Sequence, residues 1–365
     1  MKIYTYDYLQ EHVLQTTRKN LETVTGSVEA LYESYEVPKK NGTRTIHAIR
    51  KNLEGRELQK LQKNLYRRFL RHVPVGVNVK GFVEKESYLT FLKPHVGNRY
   101  FMRLDICDFF DSFQGELLRE MLGEQVRDRE ALEQVIRLCT LEGKLPQGAV
   151  TSPAVSNICF RRVDQRILKY CQRIEERVRQ QRKREGDFCF PRICFTRYAD
   201  DLLFSSNFFD FQKNMYFYHQ IANILKDKHF SLNRTKTRFG QWEIVLNGYV
   251  LGEDIHLSRR KLSELRQILY FFKDKSKEGF VPDKAVFSDS PKLLMDMNSY
   301  LRQGNYRHEL FGSSQQIAYY LAGYRSFLIS VLRENQRSEE LPLKEMEKLV
   351  GRIEMVLDEM KALEV

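Results

Sequence analysis

Two adjacent aspartates at a tight bend between two apolar runs constrain this chain more than any other feature. Ile193-Cys194-Phe195-Thr196-Arg197-Tyr198 and Leu202-Leu203-Phe204-Ser205 are separated only by Ala199-Asp200-Asp201, the pattern of two strands joined by a short turn. Unit charges about 4 Å apart repel by about 4 kcal/mol at an effective dielectric near 20. Solvent, a raised pKa or a divalent cation must relieve that repulsion. Hairpin turns ordinarily use Asn-Gly or Asp-Gly, whose residues accept positive φ. Ala-Asp-Asp lacks that chemistry, so turn-making alone accounts for it poorly. On these residues alone, a solvated turn and a cation site both stay open.

Asp105 narrows the choice. It closes the β-compatible run from Tyr100 and opens the stretch Asp105-Ile106-Cys107-Asp108-Phe109-Phe110-Asp111. A strand there delivers a third carboxylate to a sheet edge, and if the strands are neighbours Asp105 and Asp200 face each other. Hard divalent cations take one or two carboxylates plus phosphate oxygens and water. Two such ions serve in-line displacement at phosphorus. Side chains alternate along a strand, so Asp105 and Asp200 are expected to act first, with Asp201 at the rim. The charge balance agrees: 60 Lys and Arg against 48 Asp and Glu give +12, which favours a polyanionic partner.

The rest of the chain gives organisation. Its 365 residues, 42% hydrophobic with 19 Tyr and 24 Phe, support a sizeable core and about two domains. The first forty residues read as mostly helical, and Asn41-Gly42 then sits in a basic hairpin carrying Lys39, Lys40 and Arg44. Residues 115–140 read as one helix. Ser152-Pro153 reads as the start of another, Ser at the N-cap, running to about Arg184. A helix-rich part opens near Ser258. The last helix carries Leu343, Met346, Val350, Ile353, Leu357 and Met360 as a narrow stripe, for its own domain or for a partner helix. Six dispersed cysteines (107, 139, 159, 171, 189, 194) without C-x-x-C spacing read as reduced core residues. No apolar leader or 18-residue apolar run is present, so a cytoplasmic protein without a membrane span is expected. No helix-turn-helix or zinc spacing marks a DNA-binding regulator.

Tyr198-Ala199-Asp200-Asp201 resembles the Y-x-D-D box of reverse transcriptases. Leu104-Asp105-Ile106-Cys107-Asp108-Phe109-Phe110 resembles their first aspartate motif, and Leu145-Pro146-Gln147-Gly148-Ala149-Val150-Thr151-Ser152-Pro153 their LPQG-x-x-x-SP loop, in the family order. The match extends over roughly residues 35–265. It implies an α+β right-hand polymerase: N-terminal helices and fingers at 1–98; a palm at 99–257 with an antiparallel sheet, an inserted basic helix at about 161–186 and the catalytic hairpin; and a helical thumb at 258–365. It also implies RNA-directed DNA polymerisation with two Mg²⁺ ions, for which Mn²⁺ can substitute. The metal contacts would be Asp105, the Ile106 backbone, Asp200 and Asp201.

By the same resemblance Lys40, Arg44, Phe110, Gln147, Gly148 and Lys236 would contact the deoxynucleotide, with Phe110 stacking under its sugar. A solvated hairpin, a core phenylalanine and a surface lysine are the ordinary alternatives. The primer or RNA would meet His95, Tyr198, Asn247, Gly248, Arg259, Arg260 and Lys261, although a plain buried strand near Leu246 would look similar.

Among bacterial lineages the chain is most similar to retron enzymes. His95 of their N-A-x-x-H motif is kept, but Phe91-Leu92 replaces Asn-Ala, and Leu246-Asn247-Gly248 stands for V-T-G. That resemblance implies a structured non-coding RNA as template and primer, an RNA-linked DNA product, an effector protein encoded nearby with which the enzyme forms a complex, and phage defence. Another defence-associated reverse transcriptase and an idle RNA-binding scaffold are the competing readings. Residues 161–184 hold ten Arg or Lys and three acidic residues. This run is a solvated face, an RNA contact or an effector dock.

Overall fold

The computed structural model describes residues 2–39, 42–184, 190–277, 291–304, 310–334 and 341–361. They form two compact units, Met1–Ile244 and Val245–Val365. No helix among the described residues is long and apolar enough to cross a membrane.

The first unit is built on four antiparallel strands: β3 (Tyr100–Asp105), β4 (Ile193–Tyr198), β5 (Asp201–Ser206) and β6 (Arg238–Gln241), in the order β4-β5-β3-β6. Every residue of β5 is buried, the polar Asp201, Ser205 and Ser206 with the apolar Leu202-Leu203-Phe204, as its place between β4 and β3 requires. A separate hairpin, β1 (Tyr32–Lys39) with β2 (Gly42–Ile49), pairs Lys39 with Gly42. Strand thus begins at Tyr32, inside the stretch read as helical. Lys40 and Asn41 lie outside the described residues.

The 33-residue helix Ser152–Arg184 packs on the strands through Val155, Ile158, Phe160, Val163, Ile167 and Ile174. It starts one residue earlier than expected, because the Ser152 hydroxyl donates to the Pro146 carbonyl (2.7 Å) and ties off the preceding loop. The helix expected over 115–140 is two, Gly115–Leu122 and Arg129–Cys139. The chain turns at Gly123, and the Asp128 carboxylate caps the second helix by accepting from Ala131 N (2.8 Å).

The second unit holds β7 (Ile244–Leu246) apart from its first residue, β8 (Tyr249–Leu251), β9 (Ile255–Leu257) and four helices among the described residues. Its last helix, Leu341–Lys361, buries Met346, Leu349, Val350, Ile353 and Val356. Its apolar stripe therefore packs within its own unit. Of the cysteines, 139, 159, 171 and 194 are buried and unpaired, Cys107 is half-buried, and Cys189 lies outside the described residues.

Candidate active site

The aspartates meet at one end of the four-stranded sheet. Asp105 ends β3, Asp201 begins β5, and the two are register partners. Ala199-Asp200 forms a two-residue turn, since Tyr198 pairs with Asp201. The Asp200 carbonyl accepts from Ile106 N (3.0 Å), carrying the β3–β5 pairing one step past Asp105. Ala199 has φ 54°, a left-handed backbone that costs a residue with a Cβ about 1–3 kcal/mol. The sequence anticipated that this turn lacks the residues its shape prefers, and the chain adopts that shape regardless.

The cross-strand partner of Asp105 is Asp201, while Asp200 occupies the turn. Asp201, expected at the rim, is buried, and Arg103 holds it bidentately (2.8 and 2.9 Å). Lys236 Nζ lies 3.0 and 3.1 Å from the two oxygens of Asp105. The segment bearing Lys236 is pinned in place by Asn233 N donating to the Asp105 carbonyl and Cys107 N to the Ser231 carbonyl (2.8 Å each). Burial, then the neighbouring Asp201 and Asp105, push the Asp200 carboxyl up to about 6. Such crowding of like charge is what a divalent cation relieves.

The donor chemistry fits a hard cation: Asp105, Asp200 and Asp201 bring three carboxylates to one end of the sheet, Asp105 engaged by Lys236 and Asp201 by Arg103. Among the described residues no three His, Cys, Asp or Glu side chains converge as a closed metal cage. An open site completed by phosphate oxygens and water needs none.

Four residues missed in the sequence hold the aspartate turn. Arg197 is fully buried and pairs bidentately with Asp164 of the long helix (2.9 Å twice). The same guanidinium donates to Asn157 Oδ1 (3.1 Å) and to the Ala199 carbonyl (3.3 Å), and lies over the Phe160 ring. Burial pushes the Asp164 carboxyl up, and Arg197 pulls it back. Gly81 completes the support. A Cβ there would stand 2.6 Å from Ala199 N, and its carbonyl accepts from Asn157 Nδ2 (2.9 Å). The available signal was a pair of opposite charges, Arg197 and Asp164, each set within an apolar face.

The other candidates are distributed as follows. Phe110 is half-buried, its ring 6.2 Å from exposed Phe82 and 5.5 Å from Phe109. Tyr198 packs among Tyr88, Phe91 and Phe82. Arg44 lies on β2; its side chain and the whole of Lys40 are outside the described set. The Gln147 carbonyl accepts from His47 N (3.0 Å), so the LPQG loop is fastened to β2. Gly148 has φ 117°, and a Cβ there would meet the His47 carbonyl at 2.6 Å. Gly148→Ala is therefore expected to cost about 1–3 kcal/mol; melting curves check it.

His95, expected to touch RNA, is fully buried. Its ring nitrogens bond Ser205 Oγ and Thr196 Oγ1 at 2.7 Å each, bracing the sheet. Burial pushes this imidazole from 6.5 down to about 3. The stability tied to neutral His95 is complete above pH 6.5 and is lost as pH falls toward 3. His95→Gln should be less stable at pH 7 but show a flatter loss between about pH 6 and 4, measured by melting temperature against pH. Phe91 and Leu92, which stand where retron enzymes have Asn-Ala, are likewise core residues.

In the second unit Asn247 (φ 49°) and Gly248 (φ 91°) make the β7–β8 turn. Lys261, another expected RNA contact, runs against Gly248 and gives its ammonium to Glu264 (2.9 Å) and Tyr320 (3.3 Å). Its role here is to support that turn, while Arg259 and Arg260 are exposed at the start of the helix Arg259–Lys277.

A buried sheet that brings three aspartates to one end, on a strained turn clamped from behind, has the arrangement that the sequence resemblance leads one to expect. Residues 37–251, more than half of the chain, match the family described as reverse transcriptase (RNA-dependent DNA polymerase), and the chain belongs to that family, whose members generally use divalent metal ions. Within it the chain resembles bacterial retron enzymes. It is 28% identical over 268 residues to the retron Mx65 reverse transcriptase of Myxococcus xanthus, covering 66% of this chain and 55% of that one. It is 27% identical over 216 residues to the retron Ec48 reverse transcriptase of Escherichia coli (57% and 48%), and 25% over 271 residues to the Ec86 enzyme of the same organism (72% and 78%). The chain spans about half the length of the first two relatives.

Proposed function

We propose that this protein is the RNA-directed DNA polymerase of a bacterial retron, copying part of a structured non-coding RNA into a short DNA joined to that RNA. The observation that carries the reading is the set Asp105, Asp200 and Asp201 at the β3–β5 end, on a turn held by Arg197, within a chain similar to retron enzymes. The altered Phe91-Leu92 pair does not weaken it. Those positions are packed core, so the departure changes filling rather than an exposed contact.

In this reading residues 1–98 serve as fingers, 99–257 as palm and 258–365 as thumb. Asp105, Asp200 and Asp201, with the Ile106 backbone, would hold Mg²⁺. When bound, the ions would lower the pKa of the attacking hydroxyl and balance charge on the leaving pyrophosphate. Arg103 keeps Asp201 fixed, and Lys236 stands ready beside Asp105 to meet phosphate charge. Gln147 and Gly148 form the floor of the nascent base pair. Phe110 packs under the deoxyribose, where a 2′-hydroxyl has no room. The RNA–DNA product and an effector protein encoded nearby are the proposed partners, in the cytoplasm and for defence against phage.

The test is to sequence nucleic acid that co-purifies from the native locus, beside an Asp200→Ala/Asp201→Ala control. One short DNA joined to a structured RNA, absent from the control, is expected. Heterogeneous or untemplated DNA would shift the protein to another defence-associated reverse transcriptase, and RNA alone in both samples to a scaffold. For the sugar gate, Phe110→Val should raise ribonucleotide incorporation relative to deoxynucleotide by about 10- to 100-fold, read by primer extension with each nucleotide class.

A further inference from the structure

The long helix carries more than the catalytic turn needs. Its last buried residue is Ile174, and Glu175 accepts from Ile193 N (2.6 Å) at the start of β4, the end of that strand away from the aspartates. Val178, half-buried, still packs on the core, and residues 179–184 continue with no buried side chain, an overhang of roughly 9 Å at 1.5 Å per residue.

One flank of this helix bears Arg162, Arg166, Lys169, Arg173, Arg177, Gln180 and Arg184, at helical spacings of three and four. The two nearest the core are neutralised: Arg162 by Glu120 and Glu124, Arg166 by Asp227. Lys169, Arg173 and Arg177 are exposed and make no ion pair among the described residues. Arg182, Lys183 and Arg184 are explained by the negative end of the helix dipole. The middle three have no such reason. Like charges at i, i+4 destabilise a helix, so the row is kept against local stability.

We infer that Lys169, Arg173 and Arg177 form a second nucleic-acid contact, which tracks successive phosphates along one strand of a base-paired RNA stem at the end of the sheet remote from catalysis. This rests on the polymerase reading above. Positions four apart on a helix rise about 6 Å, close to the separation of neighbouring phosphates on an A-form strand. The flank offers no exposed aromatic or aliphatic side chain between its cations. Protein interfaces depend on such anchors, whereas phosphate contacts need only charge. A stem of the RNA is thus favoured over an acidic protein.

The experiment compares wild type with Lys169→Glu/Arg173→Glu/Arg177→Glu and with the milder triple Gln variant, both checked by melting temperature. Binding of a 20-base-pair RNA hairpin is measured from about 50 to 200 mM salt, and extension is measured on a short pre-annealed primer–template. The Gln variant should bind the hairpin about 10- to 100-fold more weakly near 100 mM salt, with a log–log salt slope smaller by about 2–3, and extend the short duplex at the wild-type rate. An unchanged slope overturns the inference. So does an equal loss of extension, which would assign the row to the catalytic cleft. So does loss of a co-purifying acidic protein at unchanged slope, which would make the row a protein dock. Absence of extension in wild type would refute the polymerase reading, while the hairpin slopes would still decide the row.

Discussion

Asp200→Asn is expected to lower DNA synthesis by about a thousandfold or more, with no loss of folded stability. The substitution keeps the shape of the side chain at the turn but removes its charge. At 1.36 kcal/mol per decade, a thousandfold corresponds to about 4 kcal/mol of transition-state stabilisation, a reasonable share for one ligand of a catalytic cation. The stability side follows from the same crowding that pushes the carboxyl up to about 6. With its folded pKa raised, ionised Asp200 costs the fold stability as pH climbs from 3.8 through 6. The amide removes that penalty at neutral pH, so the metal-free variant should melt at the same temperature or higher. Single-turnover incorporation and thermal melts test both halves. A variant within tenfold of wild type would remove Asp200 from the chemistry.

Arg197→Met should show the opposite signature. Its partner Asp164 would be left buried and unpaired, and breaking one side of such a pair costs about 3–5 kcal/mol. For a unit of this size that is roughly 10 °C in melting temperature. Adding Asp164→Leu should restore most of the loss, because two apolar side chains pack where two charges were. Activity should not return with it, since the hydrogen bond from Arg197 to the Ala199 carbonyl (3.3 Å) is gone in both variants and Ala199 is then free to relax from φ 54°. A double-mutant cycle read in both stability and kcat separates the two roles. Recovery of both together would mean that the guanidinium serves stability alone.

How far the sequence carried follows from the range of each interaction. The aspartate turn, the run ending at Asp105 and the basic hairpin were legible because their chemistry lies within a few consecutive residues. The Arg197–Asp164 pair was not, because it forms only once a 33-residue helix has packed across β4. His95 shows the same limit from the other side. A histidine in a motif is read as a contact, but neighbouring strands supply Thr196 and Ser205 to both ring nitrogens. Lys261 is drawn inward by Glu264, three residues on, and by Tyr320, 59 away. Arg103 could not be matched to Asp201 before the register of β3 against β5 was known. The break after Leu122 needed only local reading: Gly123 and the Asp128 cap were both visible.

The junction of Gly148 with β2 constrains which substitutions this chain can accept. Any side chain admitted at 148 would need the His47 carbonyl to retreat, and β2 is paired with β1 residue by residue from Tyr32–Ile49 to Lys39–Gly42. A hundred residues of sequence separate the loop from the hairpin, yet neither backbone can shift without the other. A change at this junction must come through side chains such as Ile46, whose methyl group would lie 3.6 Å from a Cβ at 148, or through both backbones at once. Single substitutions at either segment should therefore be poor guides to their combination.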